Sequence, residues 1–217
     1  MILIPVKNLS TAKQRLASLL SQPTRTELAQ AMLLDVLGAL AAWANCPDVS
    51  IVTGDPFVRE IARRFDFEVI PDNANHSETD AIERATRVCE VRGVDYTLVI
   101  PADIPLIETS ELEKILEVAP EQGSVLAPAA DGRGTNAAFR RPAGLFPLRF
   151  GNDSFKPHLA AAHATGKPCH VLSLPGIALD VDNPSDLCQL AQAAGETRAQ
   201  RMARQWDLSN LSLAANE

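Results

Sequence analysis

Met1–Val6 (MILIPV) is apolar at every position, and Tyr96–Ile100 (YTLVI) is nearly so. Runs without period-two alternation fit strands buried on both faces of a parallel sheet. Val49–Thr53 and Phe67–Ile70 predict two more strands, the second ended by Pro71. Between the strands the period changes. Leu28, Met32, Leu33, Val36, Leu37 and Leu40 lie at helical spacing in a segment from Pro23 to about Trp43, with Thr24 and Glu27 spaced as a capping box. Asp55 is placed to cap a helix over Phe57–Phe65. A polar loop, Asp72–Asp80, leads into a helix reaching about Arg92, with Ala81, Ile82, Ala85, Val88 and Cys89 facing inward and Gly93 closing it. Alternating strands and helices predict a parallel sheet with right-handed crossovers.

The second half continues less regularly. A helix is expected over Glu108–Val118, a strand over Ser124–Pro128, and a glycine-bearing turn passing into a strand over Asp131–Phe139. Gly151–His158 reads as a turn entering a helix. Cys169–Ser173 and Ile177–Leu179 read as short strands, and Ser185–Ala194 as a helix. Gly195–Glu217 reads as a polar helix to about Trp206 and a ragged tail that covers the sheet or joins a dimer. The fold class expected is α/β: three layers, a mostly parallel central sheet, and helices on both faces.

Composition narrows the function. The chain has 217 residues, 46% hydrophobic and 22% charged, as in soluble globular domains. Its net charge of −7 argues against a nucleic-acid surface, which carries a basic excess. The four cysteines, Cys46, Cys89, Cys169 and Cys188, form no C-x-x-C pair and fit free thiols in a reducing cytosol. MILIPVK meets a proline and a lysine too early for a secretory signal, and no run is long enough to span a membrane.

The candidate chemistry clusters where strands end. Asp103 follows the Tyr96–Ile100 strand, held between Pro101 and Pro105. Open parallel sheets bind ligands at that edge, and a carboxylate on a stiff turn suits a divalent cation. Lys7, Lys13 and Arg15, with Ser10 and Thr11, form a cationic loop directly after the first strand, a natural place for phosphates. The loop lacks P-loop glycines, and no G-x-G-x-x-G follows the strand, which disfavours a dinucleotide redox cofactor. Gly132 and Gly134 allow close backbone approach, and Thr135 and Asn136 offer a hydroxyl and an amide. Ser154 at a helix N-terminus marks an anion site. Asp180 and Asp182, two apart in an extended stretch, share a face. One suits a metal and the other a cap or orienter, or both serve the helix starting at Pro184. His76, a lone loop histidine, is expected to be solvated.

Five stretches carry a resemblance: IPVKNLSTAKQRLA (Ile4–Ala17), IPADIPLI (Ile100–Ile107), GTNAA (Gly134–Ala138), FGNDSFKPH (Phe150–His158) and LDVDNPSDL (Leu179–Leu187). In this order they resemble the 2-phospho-L-lactate guanylyltransferase family, which includes phosphoenolpyruvate and 3-phosphoglycerate guanylyltransferases, among the glycosyltransferase-A-like nucleotidyltransferases. The resemblance implies a nucleotide-diphospho-sugar transferase-like fold in one domain. Residues 1–107 would form a nucleotide-binding half and residues 108–194 an acceptor-binding half, followed by the terminal helix and tail of residues 195–217. It implies transfer of GMP from GTP to the phosphate of a three-carbon phospho-acid, with release of pyrophosphate, on the way to a deazaflavin coenzyme in the cytoplasm.

Residue by residue, the resemblance implies that Asp103 and Asp182 hold Mg2+ and that Pro5, Lys7, Lys13 and Arg15 serve the nucleotide. Thr135, Asn136, Gly151 and Ser154 would serve the acceptor. Lys7, Lys13, Arg15, Asp103 and Asp182 form the implied catalytic set. Gln14 stands where the family has serine, and Glu78-Thr79-Asp80 stands where it tends to carry a Leu-Asn pair. Asp80 is accordingly expected to accept hydrogen bonds from the guanine edge. The partners implied are GTP and a small phospho-acid, neither nucleic acid nor membrane, with homodimerisation open and a transient contact with the next pathway enzyme. The competing readings are a nucleotidyltransferase with another base or acceptor, and a non-catalytic nucleotide-binding regulator.

Overall fold

The apolar run at the start of the chain becomes β1 (Ile2–Val6), whose five residues are all buried. The computed structural model describes residues 1–73, 77–151 and 153–206. His76, Asn152 and the tail from Asp207 lie outside the described residues. Next come α1 (Gln22–Ala42), β2 (Val49–Thr53), α2 (Pro56–Arg64), β3 (Glu68–Pro71), α3 (Glu78–Val91), β4 (Thr97–Val99) and α4 (Thr109–Glu117). The second half adds β5 (Gly123–Pro128), β6 (Thr135–Arg141), α5 (Phe155–Ala164), β7 (Cys169–Val171), α6 (Pro175–Ala178), α7 (Pro184–Gln192) and α8 (Arg198–Ala203).

The strands form one sheet in the order β3-β2-β1-β4-β6-β5-β7. Only β6 runs against its neighbours, β4 and β5, and the other pairs are parallel. Alternate residues of a strand feed opposite cores. Ile2, Ile4 and Val6 pack into the larger core with residues of α1, α2, α4, α7 and α8. Leu3 packs into the smaller one with α3 and α5. This is the expected three-layer α/β/α arrangement. Reversal of β6 has a functional consequence: its first residues, Thr135 and Asn136, arrive at the edge where the parallel strands finish.

Several boundaries differ from expectation for local reasons. Ser21, rather than a Thr24/Glu27 box, caps α1, accepting from the Thr24 N–H. Ser77 caps α3, so that helix begins at Glu78 and takes in residues read as loop. Pro71 ends β3 as expected, but as its last paired residue, opposite Thr53, which an edge strand permits. Ile177–Leu179 is not a strand. Pro175 opens the single turn α6, and the Gly176 N–H donates to Glu111 Oε1 at 2.8 Å. A Cβ on Gly176 would stand 2.4 Å from the Leu106 carbonyl oxygen, so only glycine fits. After Gly195 the helix is only the six residues of α8, docked on α1, where Asp35 accepts from the Arg198 and Ala199 N–H groups.

Arg140 on β6 is the largest fully buried side chain among the described residues, 1% exposed. It donates to the Phe146 carbonyl at 2.6 Å, to Thr86 Oγ1 at 2.8 Å and to Thr97 Oγ1 at 3.2 Å. Burial pulls its pKa down to about 10, so the guanidinium stays charged near neutrality. It thereby ties β6 to α3, to β4 and to the connection that leads to α5. Arg140→Ala should strip three acceptors of their partner and leave a void, costing about 3 kcal/mol or more. Urea unfolding of the variant checks this; a loss below about 1 kcal/mol would contradict the tie.

Candidate active site

Three segments meet at the carboxyl edge of the sheet. The first follows β1, where two short 3₁₀ turns, Leu9–Thr11 and Gln14–Leu16, flank Lys13. Asp55 caps α2 with one oxygen and accepts from the Leu9 N–H with the other, at 3.0 Å, fixing the loop to the sheet. Lys13 itself sits at φ 55°, a left-handed conformation that a long side chain rarely takes. Such backbone strain gathers at functional positions. The second segment follows β4 and carries Asp103. The third follows α6 and carries Asp180 and Asp182. The Val181 N–H donates to the Asp103 carbonyl at 3.1 Å, which brings the second and third segments side by side.

The result is a half-buried three-group cluster. The Lys13 ammonium donates to Asp103 Oδ2 at 2.5 Å and to Asp182 Oδ1 at 2.8 Å, and its side chain is 8% exposed. Burial alone would disfavour the ammonium, but the two carboxylates outweigh it and raise its pKa. Burial likewise opposes the Asp182 charge, and Lys13, helped by Arg15, holds that carboxyl below its ordinary value. Arg15 Nη1 lies 3.7 Å from Asp182 Oδ2. The start of α7 makes no demand on Asp182, because Asn183 and Asp186 form its capping box. Asp186 also accepts from the Asp182 and Asn183 N–H groups, at 2.9 Å each.

Two cavities open from this cluster and share Glu78, Pro101, Asp103 and Asp182. One, of about 300 Å³, is lined by Pro5, Lys7, Thr11 and Lys13 and floored by Ala29 and Met32. The other, of about 480 Å³, is lined by Arg15, Arg133, Thr135, Asn136, Gly151 and Ser154. Lys13 thus faces the acid pair, Lys7 the smaller lobe, and Arg15 the larger. Asn136 lines the larger lobe, but its amide N–H groups are spent on the Ile177 and Ala178 carbonyls and Asp180 Oδ1. Burial pushes Asp180 up to about 6, with the nearby Asp103 and Asp182 charges acting the same way.

Asp80, expected at the guanine edge, is exposed and lines neither lobe; its carboxylate accepts from the Ser77 hydroxyl at 2.7 Å. Glu78, two residues earlier, faces both lobes instead, and burial together with Asp103 pushes it up to about 7. Sequence reasoning missed Arg133, which pairs with Asp153 at 2.6 Å across the mouth of the larger lobe. Its signal was there, an arginine between two turn glycines. It also missed His158. Buried beneath Thr135, the imidazole accepts the Arg149 N–H at Nε2, 2.7 Å away, and meets Thr135 Oγ1 through Nδ1 at 2.9 Å.

Burial, with the Arg140 charge adding to it, lowers His158 to about 4. Unfolded histidine titrates near 6.5. Between these values the unfolded chain binds a proton that the native chain refuses, so stability falls as pH drops from about 6.5 to about 4. His158→Asn removes this contribution. Wild type should therefore lose roughly 2 kcal/mol more than the variant between pH 7 and pH 4.5. Urea unfolding at the two pH values measures this; parallel losses would contradict it.

Comparison with known proteins agrees with the geometry. Residues 1–211 match the family described as "Guanylyl transferase CofC like". A phosphoenolpyruvate guanylyltransferase of Sphaerobacter thermophilus is 38% identical over 189 residues, covering 87% of this chain and 90% of that protein. A 2-phospho-L-lactate guanylyltransferase of Methanothermobacter thermautotrophicus is 33% identical over 202 residues, covering 93% and 88%. Among solved structures, a protein of Desulfovibrio desulfuricans described as a nucleotide-diphospho-sugar transferase superposes with a TM-score of 0.77 at 19% identity, covering 99% of this chain and 96% of that one. That likeness gives the fold. The sequence matches go further, and by them the chain belongs to the CofC-like guanylyl transferase family.

Proposed function

We propose that this protein transfers GMP from GTP to the phosphate of a three-carbon phospho-acid: phosphoenolpyruvate, 2-phospho-L-lactate or 3-phosphoglycerate. The observation that carries the reading is the junction of two polar lobes on the Asp103–Lys13–Asp182 cluster. A phosphate oxygen of the acceptor attacks the α-phosphorus of GTP, the bond from that phosphorus to the β-phosphate oxygen breaks, and pyrophosphate leaves. Both substrates are polyanions, so repulsion is the first obstacle. Lys7 in the smaller lobe offsets charge on the nucleotide phosphates. Arg15, expected on the nucleotide but lining the larger lobe, joins Arg133 and the hydroxyls of Thr135 and Ser154 in receiving the acceptor there. Lys13, between the two, is placed to share its ammonium between the acid pair and the phosphate that bridges the lobes. No general base is required, because the attacking phosphate is already ionised.

The acid pair also suits magnesium. Its oxygens converge on one cationic centre, and Asp103 Oδ1 is buried yet accepts no hydrogen bond. Among the described residues no set of three or more His, Cys, Asp or Glu forms a complete cage. Two carboxylates with substrate phosphates and water are what magnesium ordinarily uses. Asp103 and Asp182 would hold it, and when bound it would supply Lewis-acid polarisation of the α-phosphate. The same reading implies cytoplasmic action in deazaflavin coenzyme synthesis and a reactive diphosphodiester product for the next enzyme. Among the described residues no helix is long and apolar enough to cross a membrane.

Pyrophosphate release should require GTP, magnesium and one of the three acceptors, and chelation by EDTA should abolish it. Asp103→Asn should lower turnover about 1000-fold or more, roughly 4 kcal/mol in the barrier, with circular dichroism unchanged. Unchanged turnover in that variant would remove Asp103 from the reaction. Silence of the wild type with all three acceptors would overturn the acceptor class.

A further inference from the structure

The larger lobe ends on a pair of hydroxyls whose polarity is set from beneath. Thr135 and Ser154 both line the lobe, and their oxygens lie 3.3 Å apart. Ser154 stands at the N-cap of α5 but makes no side-chain cap bond, because its hydroxyl turns toward Thr135. Under this pair lies His158, 1% exposed, on the first turns of the same helix.

The tautomer of His158 follows from its partners. A backbone N–H can only donate, so the Arg149 N–H fixes Nε2 as the acceptor. A neutral imidazole that accepts at Nε2 carries its proton on Nδ1. The Nδ1–H therefore donates to Thr135 Oγ1. The hydrogens can then be counted. Thr135 and Ser154 own one hydroxyl hydrogen each, and their mutual bond uses one of them. Thr135 spends none on His158, because it is the acceptor there. The Ser154 hydroxyl donates to Thr135 Oγ1, so the Thr135 O–H is left for the lobe. With the opposite tautomer Thr135 would have to donate to Nδ1, Ser154 would donate to Thr135, and the pair would show only lone pairs to an incoming anion.

We propose that His158 is a positioning residue: by donating from Nδ1 it orients the Thr135–Ser154 pair as a hydrogen-bond donor to an anionic oxygen of the acceptor, phosphate or carboxylate. The role rests on the acceptor assignment above. It links acceptor affinity to one backbone amide at Arg149, on the connection that Arg140 anchors through the Phe146 carbonyl.

The test is steady-state kinetics with acceptor varied at saturating GTP, then GTP varied at saturating acceptor. His158→Leu should raise the acceptor KM about 10- to 100-fold, the range for a hydrogen bond to a charged group, and leave the KM for GTP unchanged. His158→Asn, whose amide N–H can stand where Nδ1–H stood, should recover most of the loss. Thr135→Val should raise the acceptor KM comparably, and His158→Leu should add nothing further on that background. If His158→Leu does not fold, the Asn and Val variants carry the test alone. Thr135→Val with unchanged acceptor KM, or His158 and Thr135 effects that multiply, would overturn the role. Turnover by the wild type with either result confines the failure to His158. A wild type that makes no pyrophosphate with any acceptor overturns the reaction and this role with it.

Discussion

Two carboxylates held together at a sheet edge repel each other unless a cation stands between them, and in this protein Lys13 is that cation. It joins Asp103 and Asp182 across 90 and 169 residues of chain. Lys13 is nearly enclosed while the two carboxylates keep one side open to the cleft, so removing the ammonium would leave like charges facing each other. The geometry of β1, β4 and the segment after α6 therefore has to deliver all three groups together. The Val181–Asp103 backbone bond and the left-handed turn at Lys13 are the local means. Both lobes of the cleft open from this point, so a ligand in either meets the same charges.

The rest of the fold reads as support for that junction. β6 runs antiparallel, which puts Thr135 beside the ends of the parallel strands rather than at the far edge. Arg140, four residues into β6 from Asn136, is charged, buried and held through its two terminal nitrogens by uncharged acceptors. It anchors the connection that carries Arg149 to His158. Core and site are thus continuous: a guanidinium in the smaller core holds the backbone whose amide fixes the tautomer beneath the larger lobe.

Much of the architecture was legible because parallel strands buried on both faces leave continuous apolar runs, as at Ile2–Val6 and Leu98–Ile100. Helix starts were less so. Ser21 and Ser77 won the caps from neighbours of equal chemistry, and choosing among adjacent polar residues depends on packing. Ile177–Leu179 was misread because three apolar residues fit a strand or a buried turn, and only the close approach of Gly176 to Leu106 decides. At the site, the types and order of Asp103, Asp182, Lys7, Lys13 and Arg15 could be read from the chain. The embrace of Lys13 by both acids could not, since it is a contact of long sequence separation. The two-residue shift in the start of α3 explains why Glu78, rather than Asp80, faces the lobes. His158 escaped notice because its partners, Arg149 N–H and Thr135, become visible only in three dimensions.

The role proposed for the Asp103–Asp182 pair is that of a cation site completed by substrate phosphate, with Lys13 holding it ready. It is tested most directly by manganese binding, followed by electron paramagnetic resonance with and without GTP, in wild type and Asp182→Asn. Tight binding is expected only when GTP is present, because the Lys13 ammonium competes with a cation for both carboxylates and substrate phosphates must complete the ligand set, and weakening by about tenfold or more, some 1.4 kcal/mol, in the variant. Equal manganese affinity in both proteins, with GTP bound, would contradict it.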